Sequence, residues 1–336
     1  MTYDELLLEM CNGKDHLFIH GGAGSGKSEL IHKMQKNDKN VIYAAPSGIA
    51  ALNIKGATIH SVFSLKPTVQ NVNEPIKIKD IEKIKIIKNA KTLLIDEVSM
   101  VRCDLFDKID SCLRKIRENN MPFGGVRIIL VGDLFQLGPV VADIDRSYLI
   151  KYGYKNDNFE FFNSAIWKEN NFISNIRFYE LNHNFRQSED MTFNTILSSI
   201  RLGLYDTKKM TLINKRVVNY YDDNCHYLTV RNKTARAINE SKLLELKGNQ
   251  YESVPFVDPL SMSDNNAVRK CPINQVLSIK ENMKIMFVMN DGGKNGKRWV
   301  NGTIGFISGI KIGVNNYIES VTIDINGKNL DVVREY

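Results

Sequence analysis

The stretch Gly21-Gly22-Ala23-Gly24-Ser25-Gly26-Lys27-Ser28 limits what this chain can fold into more than any other. It follows a short apolar run, Leu17-Phe18-Ile19, and leads into Glu29-Leu30-Ile31-His32-Lys33-Met34, which reads as a helix. Strand, glycine loop and helix in that order is the context in which G-x-x-x-x-G-K-[ST] acts as a phosphate cradle. Glycines let backbone N–H groups turn inward and approach a phosphate with no Cβ in the way. The helix N-terminus adds partial positive charge at the same spot. On this reading Gly22, Ala23, Gly24, Ser25, Gly26, Lys27 and Ser28 bind a nucleotide. Lys27 reaches the β- and γ-phosphates and the Ser28 hydroxyl holds Mg²⁺.

Thr92-Leu93-Leu94-Ile95-Asp96-Glu97 is an apolar strand ending in two carboxylates. Downstream of a phosphate loop, such a strand delivers Asp96 to the carboxyl edge of the sheet, beside the loop. Asp96 is then expected to hold Mg²⁺ through water, and Glu97 to polarise the attacking water. Another buried strand, Arg127-Ile128-Ile129-Leu130-Val131, runs into Gly132-Asp133-Leu134-Phe135-Gln136 and sets Gln136 on the same rim. A glutamine there can sense a γ-phosphate or orient its water. Phe178-Tyr179-Glu180-Leu181 is a further strand, with Arg186 at its exit; that guanidinium either faces the nucleotide or makes an ordinary salt bridge. Repeated strand–helix alternation predicts an α/β fold, a doubly wound parallel sheet with helices on both faces.

Between these elements, Asn40 to Ala45 reads as a strand, followed by Pro46-Ser47-Gly48, where turn chemistry and a functional role are both open. His60 is either a satisfied core histidine or a ligand. From Leu65 to Lys88 the character changes, with Pro67 and Pro75 and then lysines alternating with isoleucines. The isoleucine spacing predicts an amphipathic helix from about Asp80, its lysine face either solvated or set against nucleic acid. Val101 to Arg117 and Met191 to Leu202 are helices, and a short helix is expected near Phe161 to Trp167. Beyond Gly203 the pattern restarts. Tyr227-Leu228-Thr229-Val230 reads as a strand, Ala235 to Leu246 as a helix and Lys284 to Val288 as a strand. Short strands with an Asn326-Gly327 hairpin turn then suggest a small β-barrel.

A length of 336 residues accommodates about two domains, each with its own core. No run approaches the ~20 apolar residues that span a bilayer, and the acidic start lacks a signal-peptide layout, so a cytoplasmic or nucleoid-associated protein with no membrane partner is expected. The five cysteines form no C-x-x-C pair and no zinc-spaced cluster, which reads as reduced thiols. A net charge of +7 and a pI near 9.0 favour a polyanionic partner.

Taken together, these stretches closely resemble the Pif-type DNA helicases, RecD-like members of superfamily one. The matching residues are Gly21 to Ser28, Ala45 to Asn53 with Thr58-Ile59-His60-Ser61, Asp96 to Met100, Gly132 to Val140, Phe185-Arg186-Gln187 with Ile200-Arg201-Leu202-Gly203, and Asn301 to Gly305. The resemblance implies two RecA-like domains, ATP in the cleft between them, single-stranded DNA across the top, and ATP-driven 5′→3′ translocation with duplex unwinding. It implies catalytic roles for Lys27, Glu97, Gln136 and Arg186, with Gln136 coupling γ-phosphate state to the DNA site, Arg186 as an arginine finger, and Ser28 and Asp96 on the metal. It also implies DNA contacts at Pro46, Ser47 and His60, and at Thr229, Asn232, Asn290 and Thr303 in the second domain. Phe63 is the candidate for stacking on a base, with a core role as the alternative. The implied partners are single-stranded DNA and single-strand–duplex junctions, bound by a monomer.

On this assignment residues 1–64 and 89–203 form the first RecA-like domain and 65–88 an inserted wedge-like segment. Residues 204–299 form an incomplete second RecA-like domain and 300–336 a partial SH3-like β segment. Three departures stand out: no Gln-containing adenine motif precedes the phosphate loop, Gly138 replaces a second proline, and no His-Lys-Ser-Gln-Gly motif follows before Tyr336. The last suggests a truncated fragment or a natural short form. The alternative function is therefore a nucleotide- and single-strand-binding module with weak or no unwinding.

Overall fold

The computed structural model describes residues 2–37, 40–75, 78–154, 158–182, 185, 190–218, 225–253, 276–288, 291, 298–299, 301–314 and 317–333. The chain folds into two compact units, Met1–Val217 and Val218–Tyr336.

The first unit opens with α1 (Tyr3–Asn12). Its start is fixed by a reciprocal capping box: Thr2 Oγ1 accepts from Glu5 N at 3.2 Å, and Glu5 Oε2 accepts from Thr2 N at 2.7 Å. There follow β1 (His16–Gly21), α2 (Lys27–Asn37), β2 (Val41–Ala45), α3 (Gly48–Asn53), β3 (Ala57–Thr58) and α4 (Ile59–Val62). Next come α5 (Ile81–Asn89), β4 (Thr92–Ile95), α6 (Cys103–Arg117) and β5 (Arg127–Gly132). The unit ends with α7 (Asp143–Lys151), α8 (Asn170–Ile173), β6 (Ile176–Leu181), α9 (Met191–Arg201) and α10 (Thr207–Asn214).

All six strands are parallel and lie in the order β3-β2-β4-β5-β1-β6. The near-continuous apolar runs of β1, β4 and β5 follow from burial on both faces. Phe18, Leu93, Ile95, Ile128 and Leu130 point into one core with α6. Their alternating neighbours Leu17, Ile19, Leu94, Ile129 and Val131 join α1, α2 and α3 in the other. This is the expected doubly wound RecA-like sheet. β6 lies at the edge and leaves Phe178 59% exposed.

Helix α6 departs from a simple amphipathic reading. Leu105, Ile109 and Leu113 are buried as expected, but so are Asp104, Asp107, Lys108 and Asp110. Each buried charge holds a separate piece of chain, as burial of a charge requires. Asp104 receives Arg102 and the amide of Gln70, and Asp107 receives Ala165 N, Ile166 N and the Tyr154 hydroxyl. Lys108 donates to the carbonyls of Asn71 and Glu74, and Asp110 receives Phe123 N and Arg114. The segment before α5 is thereby laid along α6, and α5, capped by Asp80, adds Ile87 to the core. Where a short helix was expected near Phe161 to Trp167, two separate 3₁₀ turns occur, Phe161–Asn163 and Ile166–Lys168.

The second unit contains α11 (Asn232–Glu245), an antiparallel pair β7 (Tyr251–Ser253) and β8 (Leu277–Ile279), and the strands β9 (Lys284–Met286), β10 (Ile304–Ile312), β11 (Ile318–Ile325) and β12 (Lys328–Val333). The last four form an antiparallel sheet ordered β12-β11-β10-β9. Asn326 and Gly327 have φ of 54° and 81°, the paired positive angles of the tight turn that an Asn-Gly hairpin adopts. The expected strand Tyr227 to Val230 does not form. Leu228 and Val230 are fully exposed there, with no partner strand to cover them among the described residues.

Candidate nucleotide site on the strand rim

β1 and α2 hold the glycine loop between them. Gly24 and Gly26 have φ of 80° and 89°, which side chains other than glycine adopt only under strain. Gly21 is required for a different reason: a Cβ there would lie 2.5 Å from Ser25 Oγ. Lys27 folds back across the loop, its Nζ donating to the carbonyls of Gly21 at 2.6 Å and Gly22 at 2.8 Å. Burial pushes the Lys27 ammonium below its ordinary value, and Asp133, Glu97 and Asp96 oppose that shift. Ser25 Oγ is buried with no hydrogen-bond partner among the described residues. An orphan hydroxyl, an ammonium bonded only to neutral carbonyls, and the start of an 11-residue helix are donors suited to an anion.

Across the rim, β4 ends at Asp96, 5% exposed, whose amide donates to Ala44 O at 2.9 Å. Burial and the neighbouring Glu97 charge push the Asp96 carboxyl up to about 6, against the backbone bond and Lys27. A buried carboxylate so disfavoured is one that a cation would stabilise. Among the described residues no cluster of three His, Cys, Asp or Glu could hold a metal ion by itself. Mg²⁺ needs only one or two protein oxygens when phosphate supplies others, and Ser28 and Asp96 are the pair expected to supply them. Glu97 follows in the left-handed region, φ 50° and ψ 43°, and opens a 3₁₀ turn, Val98–Met100. That conformation is strained for glutamate by about 1–3 kcal/mol and turns the chain sharply at the rim.

β5 brings the third group. Its successor Asp133 is 1% exposed and organises the turn behind it. Asp133 Oδ1 accepts from Phe135 N at 3.1 Å and Oδ2 from Gln136 Nε2 at 3.0 Å. Arg201, the last residue of α9, donates to Asp133 Oδ1 through Nη2 at 3.0 Å. Burial alone would raise the Asp133 carboxyl, but these bonds hold it below its usual range. His20 stands beside the pair, its Nε2 3.2 Å from Arg201 Nη2. Sequence reasoning gave no role to Asp133, Arg201 or His20; the signal was that Asp133 and Arg201 lie within the matching stretches Gly132 to Val140 and Ile200 to Gly203, and that His20 precedes Gly21.

Tyr3 was also missed. Its hydroxyl donates to Gly26 O at 3.3 Å, and its ring meets Phe185 edge-on at 6.2 Å. Phe185 N in turn donates to Gly24 O at 2.8 Å. Burial pushes the Tyr3 phenol up to about 12, with Glu29 and Asp4 adding to it, so it stays a donor. The residue expected as an arginine finger, Arg186, lies outside the described residues, as does Asn290.

The expected DNA contacts of the first unit fall on adjacent strand ends, since β2 pairs with β3 through Ala44–Ala57 and Ala45–Thr58. Pro46 and Ser47 follow β2 and His60 follows β3. Ser47 Oγ also caps α3, accepting from Ala50 N at 3.2 Å. Burial, aided by Arg102 and opposed by Asp104, pushes the His60 imidazole down. Lys83 of α5 donates to Ser61 O at 3.0 Å, which brings the lysine helix to the same corner. Phe63 is 1% exposed and belongs to the core, so the stacking role does not hold. In the second unit Thr229 Oγ1 donates to Arg231 O at 3.1 Å, Asn232 begins α11, and Thr303 O accepts from Phe287 N at 2.9 Å.

A family model for PIF1-like helicase matches residues 3–211. The chain is 28% identical over 305 residues to the ATP-dependent DNA helicase Pif1 of Bdellovibrio bacteriovorus, covering 89% of this chain and 65% of that protein. It is 30% identical over 327 residues to the Campylobacter jejuni ATP-dependent DNA helicase Pif1, covering 90% and 68%, and 29% identical over 303 residues to human ATP-dependent DNA helicase PIF1, covering 88% and 44%. The chain thus spans roughly two thirds or less of the length of these curated relatives. Among solved structures it is similar to one of two coordinating Pif1 helicases at forked duplex DNA, with a TM-score of 0.79 and 26% identity over 100% of this chain and 76% of the other. Similarity to a Bacteroides Pif1 bound to ADP-AlF3 and single-stranded DNA has a TM-score of 0.75 and 28% identity over 98% and 72%.

Proposed function

The chain belongs to the PIF1-like helicase family, and on that premise we propose that it is an ATP-dependent DNA helicase. It couples ATP hydrolysis to 5′→3′ movement along single-stranded DNA and to opening of the duplex at a junction, in the cytoplasm or on the nucleoid. The observation that carries this reading is the convergence of Lys27, Asp96, Glu97 and the Asp133–Gln136 turn on one rim of a parallel sheet. The relatives' names and the ADP-AlF3 and single-stranded DNA bound to a similar helicase support it.

The triphosphate lies against the amides of Gly22 to Ser28, and Lys27 exchanges its two loop carbonyls for phosphate oxygens. Mg²⁺, held by Ser28 and Asp96, neutralises phosphoryl charge when bound. Glu97 accepts the proton of the attacking water, and Gln136 orients that water. Arg186 stabilises charge in the transition state. Pro46, Ser47 and His60 contact the DNA strand from the ends of β2 and β3, and Thr229, Asn232, Asn290 and Thr303 contact it from the second unit. One chain carries all of these groups, so hydrolysis is expected of a monomer.

The test is ATP hydrolysis titrated with a single-stranded oligonucleotide, paired with strand displacement on duplexes tailed at either end. Turnover stimulated by the oligonucleotide, lost in Lys27→Ala while DNA binding persists, and displacement only from a 5′ tail support the reading. Nucleotide and DNA binding without turnover would leave a binding module instead. Equal turnover in Lys27→Ala and parent would remove the site.

A further inference from the structure

Gln136 is exposed at the rim, yet its amide is not free to turn. A carboxylate can only accept, so the 3.0 Å contact with Asp133 Oδ2 commits Nε2 as the donor. With Nε2 turned to Asp133, the carbonyl oxygen Oε1 is on the far side of the amide, where it can accept a hydrogen bond from water. What keeps Asp133 a carboxylate is Arg201. Its Nε lies 3.1 and 3.2 Å from the two Asp133 oxygens and its Nη2 3.0 Å from Oδ1. The guanidinium also sits 4.6 Å from the centre of the Phe135 ring, so it grips the turn at both Asp133 and Phe135. Its other neighbours belong to the phosphate loop and β1. A Cβ at Gly22 would stand 3.7 Å from Arg201 Nε, and Arg201 Nη2 lies 3.2 Å from His20 Nε2. His20 Nε2 also lies 3.4 Å from Asp133 Oδ1, and its Nδ1 3.9 Å from Glu180 Oε1.

We infer that Arg201 is a positioning residue for Gln136, acting through Asp133 to present the amide oxygen rather than the amide nitrogen at the reaction rim. The inference rests on the ATPase reading above. Without the guanidinium, Asp133 is a buried charge with no full counterion, and it takes up a proton. A protonated Asp133 donates, which favours the reversed amide, with Oε1 turned inward and Nε2 outward. The end of α9 thereby sets the polarity of the group that meets the attacking water.

The test compares parent, Arg201→Lys, Arg201→Gln, Gln136→Ala and the Arg201→Gln/Gln136→Ala pair in ATP turnover at saturating single-stranded oligonucleotide, and in binding of a fluorescent ATP analogue. The expected result is a kcat lowered about tenfold or more in Arg201→Gln, with analogue affinity within about threefold. Arg201→Lys should recover part of the loss, and the double variant should be no slower than Gln136→Ala alone, because the two act in series. Multiplying losses, or weakened analogue binding with kcat intact, would overturn the inference. NMR of the nucleotide-free protein reads the contact independently of turnover. In Arg201→Gln the Gln136 side-chain amide resonances should move. The His20 titration should also rise, since the lowering charge of Arg201 is gone and Glu180 still faces it. Unchanged resonances would refute the inference even if hydrolysis were normal. An inactive parent with the expected resonance shifts would instead count against the ATPase reading and uphold the positioning role.

Discussion

Asp96 and Glu97 are consecutive residues in opposed situations: Asp96 is buried at the end of β4 with its carboxyl pushed up to about 6, and Glu97, held at φ 50°, supplies part of the charge that pushes it. The folded state therefore binds Asp96's proton more tightly than the unfolded chain, whose aspartate titrates near 3.8. The stability this gives is fully present below 3.8 and is lost as pH rises through 6. Near neutral pH the ionised pair burdens the nucleotide-free fold.

Asp96→Asn is accordingly expected to stabilise the nucleotide-free first unit by about 1–2 kcal/mol at pH 8 while removing turnover. Thermal unfolding of parent and variant at pH 8 and pH 5 checks it, with the gain shrinking at the lower pH. A variant that melts below the parent at pH 8 would show that the carboxylate is held favourably.

Glu97→Gln keeps the side chain's size and the backbone turn but cannot take a proton. Hydrolysis should fall by roughly 10²–10⁴-fold, with nucleotide binding retained. Single-turnover kinetics beside equilibrium binding separates the two effects; near-parental hydrolysis would move the base role elsewhere.

Gly26→Ala tests the loop's backbone. At φ 89° a Cβ is strained, and it would meet Phe185 Cε2 at 3.2 Å and Tyr3 Cε2 at 3.3 Å. The expected cost is about 1–3 kcal/mol, together with a raised KM for ATP as Tyr3 and Phe185 are displaced. Unaltered stability and KM would mean that the loop and its aromatic pair are not closely packed.

His16 gives a pH dependence of the opposite sign. Its Nδ1 accepts from Ile128 N at 2.9 Å, and burial, then Arg127, push the imidazole down from 6.5 to about 4. The folded state binds fewer protons than the unfolded one between those values, so stability is full above 6.5 and falls as pH drops toward 4. The loss should amount to about 2–3 kcal/mol across that window. His16→Asn keeps an acceptor and does not titrate, so its stability should be flatter over the same range. Parallel curves for the two proteins would clear His16 of the acid sensitivity.

The glycine loop, the apolar strands and the carboxylates at their ends were legible because each depends on a local rule. Gly24 and Gly26 are needed where φ is positive, and parallel strands buried on both faces must be apolar throughout. Neighbouring parallel strands of such a sheet also deliver their carboxyl ends to one rim, which is where Lys27, Asp96 and Gln136 follow β1, β4 and β5. The strand expected at Tyr227 to Val230 failed for the complementary reason: β-favouring residues form a strand only beside a partner, and none is described there.

What tertiary structure alone decided is the set of partners those residues have. Asp133 and Arg201 are 68 residues apart, and no spacing rule brings the end of α9 to the end of β5. The buried charges of α6 look, in sequence, like a solvated helix face, because only the folded chain supplies the carbonyls and amides that satisfy them. Sequence by itself determined which chemical groups reach the rim, since that follows from local backbone geometry and the period of burial. Their protonation, orientation and hydrogen bonds are long-range electrostatics, and those exist only once distant segments have come together.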